Sequence, residues 1–156
     1  MDNTDIKILS CLTKNARANA SEIAETVDLS VSAIIERIKK LENNGTILGY
    51  TAILNPQTIG KEISAIVSVG LEHTKYNESF LDTVKANPNV LECILITGEY
   101  DYNIKVVAEN MPALEKVLYE LKGNEGVSKF KTSIIVSTIK NEKSPLLSLK
   151  PNKPSK

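Results

Sequence analysis

Ile38–Pro56 reads IKKLENNGTILGYTAILNP, and the order of features in it decides how the first third of the chain folds. Ile38 and Leu41 continue an amphipathic helix up to Asn44-Gly45, a pair on which helices commonly stop. Two short strand-like runs follow at once and close on Asn55-Pro56. A helix that ends on glycine and becomes a small β-ribbon is the closing part of a winged helix-turn-helix.

Working back from this stretch, three helical segments are expected. Asp2 and Asp5 bracket the start of a helix from Asn3 to about Lys14, with Ile6, Leu9 and Leu12 as its apolar stripe. Asn19 and Glu22 repeat that capping logic for a short helix through Val27, with Ile23, Ala24 and Val27 inward. Asp28-Leu29 breaks the pattern, and Ser30 caps a third helix to Asn43 whose expected buried face is Val31, Ile34, Ile35, Ile38 and Leu41. Short helix, brief break, longer helix is the helix-turn-helix rhythm, and the third helix is the one that would enter a major groove.

Working forward, NPQTIGKE is a linker with Pro56 and Gly60 as breakers, placing domain limits at 1–55, 56–62 and 63–140. The period then changes. Ile63, Ala65, Val67, Val69 and Leu71 alternate as a strand, and Phe80, Leu81 and Val84 mark a helix. Val90–Thr97 and Tyr102–Ala108 read as strands joined around Gly98. Leu114, Val117, Leu118 and Leu121 mark a second helix, and Val127–Ile139 reads as a long last strand. The order βαββαβ predicts an α+β, ferredoxin-like sheet with helices on one face. Asn87-Pro88-Asn89-Val90 and Asn124-Glu125-Gly126-Val127 occupy equivalent junctions of its two halves. The other face of the sheet is expected to be apolar and covered by a second subunit. Residues 141–156, with Pro145, Pro151, Pro154, four lysines and one glutamate, read as a mobile basic tail or a non-specific phosphate binder.

Composition narrows the function. The 156 residues carry 19 basic and 19 acidic side chains, so total charge does not announce nucleic acid. No apolar run approaches the roughly 20 residues of a membrane span, and the acidic start MDNTDIKIL lacks the basic n-region of a secretion signal. A cytoplasmic protein with two reduced thiols, Cys11 and Cys93, is expected. His73 is the sole histidine, and no nucleophile elbow, metal cluster or phosphate loop stands in the chain, so neither an enzyme nor a bound cofactor is expected.

From Asp2 to about Lys140 the chain resembles the Lrp/AsnC ("feast/famine") family of transcription regulators. The resemblance is carried by Asp2, Asp5, Ile8 and Leu9, then Leu29-Ser30, Glu36-Arg37-Ile38, Leu41-Glu42, Gly45, Ile47, Gly49-Tyr50 and Asn55-Pro56, and by the Gly98-Glu99-Tyr100-Asp101 turn. It implies a winged helix-turn-helix followed by a RAM domain, the family's sheet domain for effector binding and oligomerisation. It also implies double-stranded DNA as partner, homodimers often stacked as octamers, and an amino acid or similar small effector. The candidate DNA-contacting set is Ser30, Ser32, Ala33, Glu36, Arg37, Lys39 and Lys40. Of these, Ser32 and Ala33 suit base edges, and Arg37, Lys39 and Lys40 suit phosphates. Glu36-Arg37 also reads as a solvated pair or a packing bridge within the domain, and Tyr50, in the expected wing Gly49-Tyr50-Thr51, equally as core packing. For the effector, the turn glycine exposes N–H groups for a ligand carboxylate, while Glu99 or Asp101 would pair with its ammonium. A hairpin tip with acids facing water is the plainer reading. The resemblance assigns Gly98, Glu99, Tyr100 and Asp101 to the effector, with Asn110 where relatives often carry an acid and Thr132 as the second threonine of a Thr-x-Thr pattern.

Residues 1–55 hold four lysines and two arginines against seven acids, a net of −1; residues 56–139 carry −3 and residues 140–156 carry +4. A single domain of that charge binds duplex weakly, so operator binding is expected to need a dimer or higher assembly. Two other readings stay open: a sensing and assembly module with weak or lost DNA binding, and a relative of the haem-pathway decarboxylases that share this plan.

Overall fold

The computed structural model describes residues 1–145, which divide into two compact units, residues 1–53 with 140–145, and Leu54–Ile139. The expected basic tail lies, from residue 146 on, outside the described residues. No described helix is long and apolar enough to cross a membrane.

The first unit is three helices: α1 (Asn3–Lys14), α2 (Ala20–Val27) and α3 (Val31–Asn43). Both capping boxes form. Asp2 accepts from the Asp5 N–H and Asn19 from the Glu22 N–H, while the acids three residues on reach back to the cap N–H groups. Ile8, Leu9, Leu12, Ile23, Ala24, Val27, Ile34 and Leu41 make one core, each large aliphatic side chain contributing about 1.5–3 kcal/mol by leaving water. The expected buried face of α3 is too wide. Ile34 and Leu41 are buried and Ile38 is half-buried, but Val31 and Ile35 are 41% and 48% exposed. Two short helices cover only a narrow strip of the third, and the edge of its apolar stripe stays in solvent.

After Asn43 the chain turns on Gly45, whose φ of 72° is left-handed, and the Ile47 N–H donates to the Leu41 carbonyl. The expected ribbon does not follow: residues 46–55 contain no strand. Arms of three or four residues cannot hold an isolated hairpin, and no other strand among the described residues pairs with them. Leu48, Ile53 and Leu54 are consequently exposed.

The second unit is a four-stranded antiparallel sheet in the order β2-β3-β1-β4, built from β1 (Ile63–Leu71), β2 (Val90–Leu95), β3 (Tyr102–Ala108) and β4 (Val127–Ile134). With α4 (Asn77–Ala86) and α5 (Met111–Lys122) it is the ferredoxin-like fold expected. Ala65, Val67, Val69, Ile104 and Val106 pack with Phe80, Val84, Leu114, Val117 and Leu121 in one core. The equivalent junctions brace each other. Buried Asn87 donates from Nδ2 to Glu120 of α5, and Asn124 accepts from the Thr83 hydroxyl of α4.

Two expectations about the sheet need correction. The last strand ends at Ile134 rather than Ile139, because β1 begins at Ile63 and offers only one further bond, from the Ile135 N–H to the Ser64 carbonyl. The open face is mixed rather than apolar. Register places Ser64, Ile66 and Ser68 beside Val107, Lys105 and Asn103 on one side and, for the latter two, beside Ser133 and Lys131 on the other. The alternation that made β1 conspicuous belongs to the helix-covered face.

Candidate nucleic-acid interface and ligand turn

Ser30 caps α3, accepting from the Ala33 N–H at 3.3 Å, and its hydroxyl oxygen lies 3.1 Å from that of Ser32. Its candidate role is thus filled first by the helix. At 3.6 residues per turn, a helix buried at Ile34, Ile38 and Leu41 presents Ser32, Glu36 and Lys39 on the opposite side, with Ile35 and Lys40 flanking them. All five are exposed, and Ala33 is half-buried. Ile35 was missed because its apolar side chain fits the helical stripe; only the width of that stripe hinted that one edge would stay uncovered.

Arg37 is drawn the other way. Its Nη1 donates to Asp2 at 2.9 Å and to Asp5 at 2.7 Å, tying α3 to the first turn of α1. These hydrogen bonds raise the guanidinium pKa further, the one to Asp2 counting most. The Asp5 N–H, then Arg37, holds the Asp2 carboxyl below its ordinary value. The alternative of a bridge within the domain therefore describes Arg37 better than the expected phosphate contact. Asp2, Asp5, Glu36, Arg37 and Lys40 surround a shallow hollow of about 470 Å³ that also touches Met1 and Ala33. Tyr50 donates to Glu42 at 3.0 Å; burial first, then that carboxylate, raises its pKa.

In the sheet unit the turn after β2 hinges on Gly98 at φ 125°, a backbone conformation that favours glycine. Asp101 clasps this turn with every polar group it has. Its carboxylate accepts from the Leu71 N–H at 2.7 Å, its N–H donates to the Val69 carbonyl, and its carbonyl accepts from the Ile96 N–H. Glu99 is exposed and faces Lys129 of β4, whose Nζ lies 3.9 Å from the Glu99 carboxylate and 3.4 Å from its carbonyl oxygen. Tyr100 is half-buried, and Tyr102 packs against Phe80 with ring centroids 5.4 Å apart.

The remaining effector candidates lie elsewhere within one chain. Asn110 caps α5, accepting from the Ala113 N–H at 2.9 Å. It follows the far end of β3, about 20 Å from the Gly98 turn at strand rise. Thr132 sits opposite Val67, facing the helices. Lys129 escaped sequence reasoning because only the β1–β4 register carries it to the turn. His73 accepts from the Lys75 N–H as the cap of a short turn. Cys11 and Cys93 are free, half-buried thiols, and burial raises that of Cys93.

A three-helix unit built like a helix-turn-helix, carried with a ferredoxin-like sheet, defines a two-domain transcription regulator. The family model for winged helix-turn-helix DNA-binding matches residues 1–47, and that for the Lrp/AsnC ligand binding domain matches residues 64–145. The leucine-responsive regulatory protein of Haemophilus influenzae is 32% identical over 90% of this chain and 86% of its own length. The transcriptional regulator AzlB of Bacillus subtilis is 32% identical over 90% and 91%. A transcriptional regulator of Neisseria meningitidis, solved with L-methionine, superposes with a TM-score of 0.88 at 34% identity, covering 93% of this chain and 96% of that one. The chain belongs to the Lrp/AsnC family of transcriptional regulators, and it is a DNA-binding regulator rather than an enzyme.

Proposed function

We propose that this regulator binds its operator as a self-assembled protein and that an amino acid, engaged at the Gly98–Asp101 turn, changes that binding. The observation that carries the reading is the joining of a DNA-binding unit to a ligand-binding sheet in one chain. The effector class is supported by the Neisseria regulator solved with L-methionine and by a feast or famine regulatory protein of Mycobacterium tuberculosis, 27% identical, also solved with L-methionine. In this reading the exposed N–H groups beside Gly98 receive the ligand carboxylate and Glu99 receives its ammonium. Asn110 and Thr132 join the pocket only if a second copy brings them to the turn. Self-assembly is favoured by half-buried Ile66 and exposed Ile94 on the open sheet face and by the low charge of a single helical unit.

The test is a gel-shift titration of the full chain on duplex from upstream of its own gene, at stated salt, with a panel of amino acids that includes L-methionine. Specific binding that one amino acid shifts by five-fold or more is expected. No specific binding under any ligand would favour the second reading, a sensing and assembly module, which the neutralisation of Arg37 by Asp2 and Asp5 keeps open.

A further inference from the structure

We propose that Lys129 determines which amino acid the Gly98–Asp101 turn takes, and that it selects one carrying a second carboxylate, the aspartate and glutamate class; this rests on the amino-acid reading of the turn above. Lys129 reaches the turn from β4 by crossing β1. Register sets it beside Gly70, and a Cβ at Gly70 would lie 3.1 Å from the Lys129 Cβ and 3.5 Å from its Cγ and Cδ. The lysine stem therefore passes over Gly70, close to the space a side chain there would fill. Asp101 fastens the turn to β1 on both sides of that crossing, through the Val69 carbonyl and the Leu71 N–H. The Lys129 ammonium ends at Glu99, 3.4 Å from its carbonyl oxygen and 3.9 Å from its carboxylate.

A ligand can replace this contact. Both side chains are more than half exposed, and exposed ion pairs hold weakly. An incoming ammonium on Glu99 displaces a cation already there, while the stem resting on Gly70 keeps Lys129 beside the turn. What that cation meets next decides which ligand fits. With a neutral side chain, Lys129 loses its carboxylate and stands next to a second ammonium, a like-charge pair. An amide side chain offers it only a neutral oxygen, and a basic one adds a third cation. A side-chain carboxylate gives every charge an opposite neighbour: the α-carboxylate meets the N–H groups beside Gly98, the ammonium meets Glu99, and the second carboxylate meets Lys129. The N–H groups of Gly98, Glu99 and Tyr100 make no main-chain hydrogen bond among the described residues, so donors stand ready for the first carboxylate.

The experiment is calorimetric titration of the full chain with L-aspartate, L-glutamate, L-asparagine, L-glutamine, L-leucine and L-methionine, read as ratios of Kd. The parent should bind the better acid about ten-fold or more tightly than its amide, and that ratio should shrink as salt rises. K129M should bring the ratio close to one, and K129R, which keeps the cation, should retain a preference for the acid. K131M removes the other lysine on the same face of β4 and should keep the parent's ratio. Melting temperatures check that each variant folds, and the parent's own ratio decides the proposal even where a variant does not. Equal binding of acid and amide by the parent would overturn it. So would tightest binding of leucine or methionine, a ratio that K129M leaves intact, or an equal loss in K131M. Binding that E99Q weakens for every amino acid, with no preference for acids in the parent, keeps the reading of the turn and removes Lys129 from it. If no amino acid binds the parent, the reading of the turn itself fails and takes this inference with it.

Discussion

Arg37 shows how one side chain can be read correctly in type and wrongly in direction. A cation on a helix expected to meet DNA invites a phosphate assignment, yet its position on the wheel turns it towards α1 and the two acids of the capping box. The depressed Asp2 pKa fixes the sign of a pH effect. Stability from this contact is complete above the ordinary carboxyl value of 3.8 and is lost as pH falls from there through the lower folded value. Melting temperatures between pH 6 and pH 2 should therefore fall more steeply for the parent than for D2A, and parallel curves would remove Asp2 as a source of acid sensitivity. Asp101 raises the same question of direction, because its carboxylate is already engaged by the Leu71 N–H. D101N keeps an acceptor there, whereas D101A strands the N–H at a cost of about 1 kcal/mol. We expect D101N to retain both stability and amino-acid response and E99Q to lose the response alone. A response that survives E99Q but not D101N would return the ammonium to Asp101.

At the scale of elements, local chemistry was legible and pairing was not. Caps at Asp2, Asn19 and Ser30 and the apolar spacing of each helix located α1 to α5 within a few residues. Such signals sit inside the segment they organise. Strand ends depend on the neighbouring strand, so the long run after Val127 gave no sign that it would lose its partner near Ile134. The ribbon expected at residues 46–55 stays unpaired for the same reason. In the Gly98–Asp101 turn, glycine and its acids are visible in the sequence, but the contacts each acid makes depend on β1 and β4, distant in the chain. The uneven burial of α3 yields a paired prediction. I34A should cost about 2–5 kcal/mol as a core truncation, while I35A should leave chemical denaturation within about 0.5 kcal/mol of the parent and weaken operator preference. Equal destabilisation by both would mean that Ile35 is covered in the working protein. N87A tests the brace between the two halves of the sheet unit. It removes the bond to Glu120 and the acceptor for the Asn89 N–H, and calorimetry should register a loss of about 1–3 kcal/mol.

For the whole molecule, charge is distributed by segment although it cancels in total. The helical unit is near neutral, the sheet unit acidic and the final segment basic, so DNA affinity should depend on how many copies act together. Holding several weak readers at fixed spacing raises effective concentration without new contacts. The proposed self-assembly is tested at the open face of the sheet. I66D places a carboxylate between Lys105 and Ser133, and sedimentation should report a smaller species with operator affinity reduced at least ten-fold. Unchanged mass would move the self-contact to another surface.

The unpaired stretch between the two units has a consequence for handling the protein. From Leu48 to Leu54 no main-chain N–H finds a hydrogen-bond partner among the described residues, while Leu48, Tyr50 and Leu54 stand out in solvent. In a single chain those amides should exchange with deuterium at the first time point, between two protected blocks. A protease that favours aromatic and leucine side chains should nick the molecule there first, giving a helical fragment and a sheet fragment. Protection of that cut site as concentration rises would make a digest, read on a gel, a direct gauge of whether another copy has covered the stretch.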